Sequence, residues 1–549
     1  MLLDALTIPL DSMLEALVCV IGAGPAGITI ARELSARGIE VLLIESGAER
    51  HTNAAGDFLR DSSIGYPSHT DRTRQRGFGG TSNHWTSSGL RVRPLDPIDF
   101  EQRQEVPNSG WPFGYAEPEP FYRRAQESLE LGPYVYDGAA WEDVEKAPRL
   151  PLPGPDVRTE MFQFASRDHF MRLYDEVAST PSIRLLLHST VAELVATPEG
   201  TALDHLSVVA RDGRRFSVRA KAYVLACGGI ENARLLLASR SSRSEGLGNE
   251  QDLVGRYYME HISTDSAFFW PSDPRLVERL RLYGEHWIVG DAKLQGFLAL
   301  SPEALRRERL QNAAFWVMPS RREWATSGVR SLRALGSGVR RRPWGGHVGG
   351  HALNILKDGD DVARWLYRYP RRDYRGLEVV RLRFMAEQSP NYASRVTLDD
   401  RKRDRIGLPR VQLDWRLTEA DLDSVRRSEA VIARALLAAG VGELRGMFGS
   451  ESPPALVVGN AHHMGTTRMH QDPKRGVVDA NSRMHAMPNL FVAGSSVFPT
   501  GGFANPTLTI VALALRLSDH LQNQLAGDRR KSRSPRARDT GLRAPAPSS

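Results

Sequence analysis

Two adjacent histidines, His462 and His463, stand in V-G-N-A-H-H-M-G-T-T-R-M-H (residues 458–470), and Asn505 stands before a proline in A-N-P-T. A neutral imidazole, with an ordinary pKa of ~6.5, can take a proton from a hydroxyl near working pH. A fixed side-chain amide can hold the oxygen that loses it. Pro506 disfavours helix at Asn505, and T-L-T-I-V-A-L-A-L-R from Thr507 reads as a buried helix starting there. Asn505 thus stands at a helix entrance, either as a donor into a site or as a cap alone. Spacing does not say which histidine acts, and a His–His pair in a loop also suits a plain structural role.

The elements that would position such groups begin at the front of the chain. From Ala16 the sequence reads A-L-V-C-V-I-G-A-G-P-A-G-I-T-I-A-R-E-L-S-A-R-G-I-E-V-L-L-I-E-S-G. Leu17 to Ile21 is a continuous apolar run, the pattern of a strand buried on both faces. Gly22, Gly24 and Gly27 then give G-x-G-x-x-G, an amphipathic helix follows, and Val41 to Ile44 is a second apolar strand ending on Glu45. Gly22 makes the tight turn, Gly24 lets backbone approach a pyrophosphate, and Gly27 lets helix pack on strand. The helix that starts at Pro25 offers free N–H groups from Ala26 onward and a favourable dipole to phosphate. Glu45 can accept from ribose hydroxyls. The whole unit in register predicts a dinucleotide site, without deciding between FAD and NAD.

Bulk properties narrow the class. A chain of 549 residues is too long for one simple core, and 41% hydrophobic with 25% charged residues is ordinary for a globular protein. Most of the net charge of +7 lies in the tail from Gly527, which carries seven Lys or Arg against two Asp. That tail, residues 526–549, reads as a basic disordered segment. With no aromatic-basic array elsewhere, nucleic-acid binding is not expected. Cys19 and Cys227 read as core residues, and no His, Cys and carboxylate spacing suggests a metal site. No apolar run approaches the ~18–20 residues of a membrane span. The first 17 residues hold three acids and no Lys or Arg, unlike a secretory leader, so a cytoplasmic location is expected.

Further segments carry a family resemblance. They are R-G-F-G-G-T-S-N-H-W-T-S-S-G-L-R from Arg76, G-W-P-F-G-Y-A-E-P-E-P-F-Y from Gly110, A-Y-V-L-A-C-G-G-I-E-N-A-R from Ala222, and N-L-F-V-A-G-S-S-V-F-P-T-G-G-F-A-N-P-T from Asn489. With the front motif, they resemble the glucose–methanol–choline (GMC) family of FAD-dependent oxidoreductases over roughly residues 17–525. G-G-T-S-N-H-W is most similar to the branch of pyranose oxidases and bacterial sugar or glycoside dehydrogenases. Nothing is recognisable from about 270 to 375.

The resemblance implies FAD as cofactor and an α/β (α+β overall) fold. A Rossmann-like FAD-binding domain would be joined to a discontinuous substrate domain on a mainly antiparallel sheet. The expected divisions are an N-terminal extension (1–16), the main FAD part (17–250), the substrate part (251–445) and a return carrying the catalytic segments (446–525). Gly80, Thr81, Asn83 and His84 would lie against the isoalloxazine. The matching histidine of pyranose oxidases bonds covalently to flavin, whereas neighbouring dehydrogenases keep a histidine without the bond. Val191 would contact the adenine, Gly494 the pyrophosphate, and Thr507 would stand beside the cofactor. Counted back from Met469, the family's base falls on His462, with Asn505 as its partner and His463 as a neighbour.

The implied reaction is oxidation of a CH–OH group, most simply a sugar or glycoside ring hydroxyl, with hydride transfer to flavin N5. A non-sugar alcohol or polyol, or a hydroxynitrile-lyase-like member without redox turnover, are the alternatives. Oxygen, a quinone or a redox protein would take the electrons. Three local expectations complete the reading. Residues 384–399 resemble a strand in which Gln388 could reach the site, and Thr418 caps a helix that stops at Gly440. The basic, Gly-rich 321–344 segment reads as an exposed loop or arm, available to an acidic redox partner or a homo-oligomer contact.

Overall fold

Val18 to Ile21 are buried on both faces, as the middle of a parallel sheet requires. They end the strand Met13–Ile21 in the computed structural model, which describes residues 1–52, 56–66, 68, 70–84, 89–141, 148–284, 286–339, 348–368, 378–445, 448 and 457–533. Met13–Ile21 pairs in parallel with Val41–Ile44 on one side and Arg215–Leu225 on the other. Ile183–Leu187, Leu2–Asp4 and Leu490–Val492 complete the parallel set. The far edge is antiparallel, made by Leu203–Ala210 and Ser189–Ala196. The helix Pro25–Ala36 packs on this sheet and on the long C-terminal helix Thr507–Arg533. The α/β class and the Rossmann-like unit are therefore as expected.

A second, antiparallel sheet stands over the cavity. Its order is Gly442–Arg445, Ile262–Pro271, Val379–Ala386, Ala313–Ser320, Ala292–Leu300, Val157–Ala165 and Leu90–Val92. Two of these strands, Leu90–Val92 and Val157–Ala165, come from within residues 17–250 and tie the halves together. The N-terminal residues Leu2–Asp4 are part of the parallel sheet. Neither pairing is legible in sequence, because an apolar strand does not announce its neighbour. No helix among the described residues is long and apolar enough to cross a membrane.

Several local readings change. Residues 384–399 are not one strand: Val379–Ala386 and Arg395–Arg403 lie in different sheets. The turn between them holds Pro390, which lacks a backbone donor for a ladder. Gln388 is buried away from the cavity, accepting from Trp415 Nε1 (2.9 Å) and Glu260 N (3.0 Å). The 321–344 segment is no loop where described. A turn at Arg322–Ala325 leads into the helix Ser327–Val339, which buries Val329 and sets Arg333 against Asp265. The helix Glu419–Ala438 does form, with Thr418 and Asp421 making a reciprocal capping box. Thr507–Arg533 carries helix into the segment expected to be disordered, and residues from 534 on lie outside the described set, as does Trp85.

Gly27 shows why the fingerprint spacing is strict. A Cβ there would meet Gly22 O at 1.9 Å and Val20 Cγ1 at 3.3 Å, so the helix would have to leave the strand. Gly27→Ala should lower unfolding stability by about 1–3 kcal/mol or more, as overpacked cores do, read by urea denaturation. An unchanged midpoint would show that the contact can relax.

Candidate active site

The turn after Ile21 opens into a cavity of about 730 Å³, within the usual range for small-molecule and cofactor sites. At its inner end stand Gly22, Gly24, Pro25, Ala26, Glu45, Val191 and Gly494. Gly80, Thr81, His84 and Thr507 line it as well. A Cβ on Gly24 or Gly494 would meet nothing within 4 Å, so both present bare backbone to open space. The helix Pro25–Ala36 starts at Gly24 with no side-chain cap and no acid in its first turn. Its orphan N–H groups and positive dipole end face the cavity, which suits a pyrophosphate. Two expected residues do not line the cavity. Gly27 is spent on helix packing, and the Asn83 amide turns back to donate to Phe78 O (2.8 Å).

Glu45 holds this end together. Its carboxylate accepts from Ala23 N (3.0 Å), Gly47 N (2.7 Å) and Gly77 N (3.0 Å), joining three turns. Burial raises its pKa, and the three N–H groups and Arg76 work against that rise. The side chain still lines the cavity, so it organises the turns whether or not it also meets a ribose.

At the other end, His462 and Asn505 come together from positions far apart in the chain. Asn505 Nδ2 lies 3.1 Å from His462 Nε2, and His462 Nδ1 lies 2.8 Å from Nδ1 of His261. His261 Nε2 faces Gly501 O at 3.4 Å. Burial pushes His261 down to about 4. It also holds His462 well below its ordinary value, helped by His261, His463 and Arg91. Both rings are thus neutral. The Asn505 amide can only donate from Nδ2, so Nε2 of His462 carries the lone pair. Nδ1–H of His462 then donates to His261, whose own proton sits on Nε2. His462 is left with an unprotonated Nε2 at the cavity wall, where it accepts from Asn505.

The backbone around His462 is held just as firmly. Ala461 has φ of 63°, a left-handed conformation that a non-glycine residue adopts only when its surroundings impose it. Glu260 Oε2 imposes it by accepting from Asn460 N (3.1 Å) and His462 N (3.0 Å). Glu260 Oε1 takes the Tyr258 hydroxyl (3.1 Å) and lies 3.3 Å from His463 Nε2. Burial drives His463 down to about 3, so this is a contact between an uncharged ring and an acid. His463 also approaches Thr73 Oγ1 at 3.3 Å and lines the cavity. Glu260 and His261 were not expected from sequence. Their signal is an acid–histidine pair inside the apolar run Y-Y-M-E-H-I, where plain core would hold neither.

A backbone turn suited to a dinucleotide thus shares one cavity with a neutral imidazole. Residues 18–353 match the FAD dependent oxidoreductase family, and residues 390–514 match the GMC oxidoreductase family. The chain belongs to the FAD-dependent oxidoreductases, of the GMC type, and its cofactor is FAD. It is 24% identical to 6'''-hydroxyparomomycin C oxidase of Streptomyces lividus, over 93% of this chain and 92% of that one. A shorter stretch, 24% of each chain, is 38% identical to C-glycoside 3-oxidase of Arthrobacter globiformis. Among solved structures, pyridoxine 4-oxidase from Mesorbium loti superposes with a TM-score of 0.53 at 18% identity, covering 92% of this chain and 99% of that one.

Burial raises Glu260 from its ordinary value near 4.5 to about 7. The folded state therefore favours the protonated acid. That contribution is complete below the unfolded value and is lost as pH rises through about 7. Relative to Glu260→Gln, the wild-type chain should lose ~1.4 kcal/mol of stability for each pH unit crossed in this window. Urea unfolding of both proteins across the window reads it, and a pH-independent difference would contradict the assignment.

Proposed function

We propose that this chain oxidises a ring CH–OH of a sugar or glycoside, with His462 as base and Asn505 orienting the alcohol. The single observation that carries this is the neutral His462 ring. Its Nε2 lone pair faces the cavity, while Nδ1 is tied to His261 and the amide of Asn505 stands 3.1 Å away. FAD, held by the glycine turn and the uncapped helix start, supplies the hydride acceptor that no side chain provides. The chain's own residues manage the proton and the alcohol oxygen. A substrate hydroxyl entering between Asn505 and His462 gives its proton to Nε2. The Asn505 N–H donates to the oxygen on which negative charge grows. Asn505 Oδ1, shielded from solvent and without a partner, has capacity for a second group of the bound molecule. His261 acts through His462 as a positioning residue, since its Nδ1 selects the tautomer that leaves Nε2 unprotonated.

The parallel-sheet part, built mainly from residues 17–250 and 446–525, is proposed as the cofactor-binding unit. The antiparallel sheet, mainly from 251–445, is its roof over the substrate. The sugar or glycoside class is supported by relatives named for aminoglycosides, fructose and C-glycosides. Oxygen, a quinone or a redox protein takes the electrons onward. Cys19 and Cys227 are free thiols, which suits the cytoplasm.

His462→Ala should keep its flavin and lose turnover by roughly 10²–10⁴-fold, and Asn505→Ala should lose about 10²-fold. Anaerobic mixing with sugars, glycosides, polyols and alcohols, then admission of air, reads both substrate class and acceptor. Full activity in His462→Ala, or no flavin bleaching by any hydroxyl compound, would overturn the proposal. Acid precipitation of the same sample shows whether flavin stays with the protein through His84.

A further inference from the structure

The roof of the cavity carries two guanidinium groups beside the reactive imidazole. Arg383 and Trp316 are cross-strand partners, and the Arg91 guanidinium lies over the Trp316 ring at 4.6 Å. All three line the same cavity as His462 and Asn505. Three fully buried arginines elsewhere meet carboxylates, Arg93 with Asp96 (2.7 Å), Arg103 with Glu387 (2.7 Å) and Arg234 with Asp404 (2.7 Å), whereas buried Arg468 donates to Asn108 O (2.7 Å). Among the described residues, no carboxylate forms an ion pair with Arg91 or Arg383. The polar contact of Arg91 is Nη2 to Gln295 Oε1 at 3.3 Å, and its Nε is shut from solvent with no partner. That of Arg383 is Nε to Ser263 Oγ at 3.0 Å. The nearby acid, Asp265, is already shared between Arg333 and Arg381, each at 3.1 Å. Two like charges held near each other at a partly buried wall, with no ion-paired carboxylate of their own, are costly. Burial and the neighbouring Arg383 push Arg91 down to about 10, so Arg91 bears that cost.

We propose that the hydroxyl compound this enzyme oxidises carries an anionic oxygen group, received by Arg91 and Arg383. A carboxylate, sulfate or phosphate matches the guanidinium fork. Docking it there fixes which ring carbon reaches His462, and it gives the unpaired charges their counter-ion. The inference rests on reading the cavity as a site of CH–OH oxidation and deepens that reading by naming the substrate class as acidic sugars or glycosides.

The test uses the flavin-loaded enzyme and matched pairs: methyl glucoside against methyl glucuronide, and glucose against glucose 6-phosphate. Anaerobic flavin reduction should give the anionic member of at least one pair a kcat/KM about tenfold or more above its neutral twin, as expected for a buried charge pair. The glucuronide and the phosphate arms tell which oxyanion is preferred. That ratio should collapse in Arg383→Gln and Arg91→Gln and survive in part in Arg383→Lys, which keeps the charge. Neutral members reacting as well as anionic ones, or a preference that persists in both glutamine variants, would overturn the proposal. If no member reduces the flavin, calorimetric titration with the same anions separates the two ideas. Binding weakened by Arg383→Gln would keep the anion site and sink the oxidation reading, whereas no binding would sink the anion site.

Discussion

The carboxylate of Glu260 stands where the strand Ile262–Pro271 begins, and the position of the His462 imidazole, the proposed base, depends on it. It is almost fully buried, and a carboxyl removed from water carries a desolvation cost of several kcal/mol unless its oxygens are met. They are met by the backbone of Asn460 and His462, the Tyr258 hydroxyl and the ring of His463. Hydrogen bonds of this kind contribute about 1.5–3 kcal/mol each when the acceptor is charged. Leaving any one unmade would be expensive, so the turn through Ala461 is locked rather than loosely supported. The next residue, His261, then fixes the His462 ring through Nδ1. One dipeptide thus sets both the backbone and the tautomer of the proposed base.

The opposite end of the cavity uses the same device for a different purpose. Glu45 ties Ala23, Gly47 and Gly77, so the glycine turn, the end of the second strand and the loop before Phe78 move as one. Between these two anchored carboxyls lies a wall of bare backbone and an uncapped helix start, shaped for a dinucleotide. The cavity roof is different in kind. Its antiparallel sheet offers Trp316, Met318, Arg383 and Met385, and among the described residues no carboxylate forms an ion pair with Arg91 or Arg383.

Much of the cofactor end was legible because its constraints are local. G-x-G-x-x-G works through contacts within a few residues, such as Gly27 against Gly22, and an acid at the end of the next strand follows from one βαβ unit. The capped helix Glu419–Ala438 was legible for the same reason. The roof was not. A strand such as Val157–Ala165 reads as apolar wherever it pairs, so its membership of the antiparallel sheet was hidden. The polar turn at Glu387 to Ser389 looked like more strand because its burial depends on partners distant in sequence. The basic 321–344 segment looked exposed because Asp265, which meets Arg333, stands far from it in the chain.

The reactive end divides along the same line. The sequence carried a His–His pair and an asparagine at a helix entrance by local pattern, and only its resemblance to the GMC family implied that His462 and Asn505 should meet near a dinucleotide. Only the tertiary structure decided how the two histidines differ. His462 turns Nε2 to Asn505 and the cavity, while His463 turns to Glu260 and Thr73. Only the tertiary structure supplied Glu260 and His261, and left Arg91 and Arg383 unpaired at the wall. Hydrogen-bond and charge pairing is a matter of distance in space, and residues 43 or 201 positions apart are neighbours only once the sheets have closed.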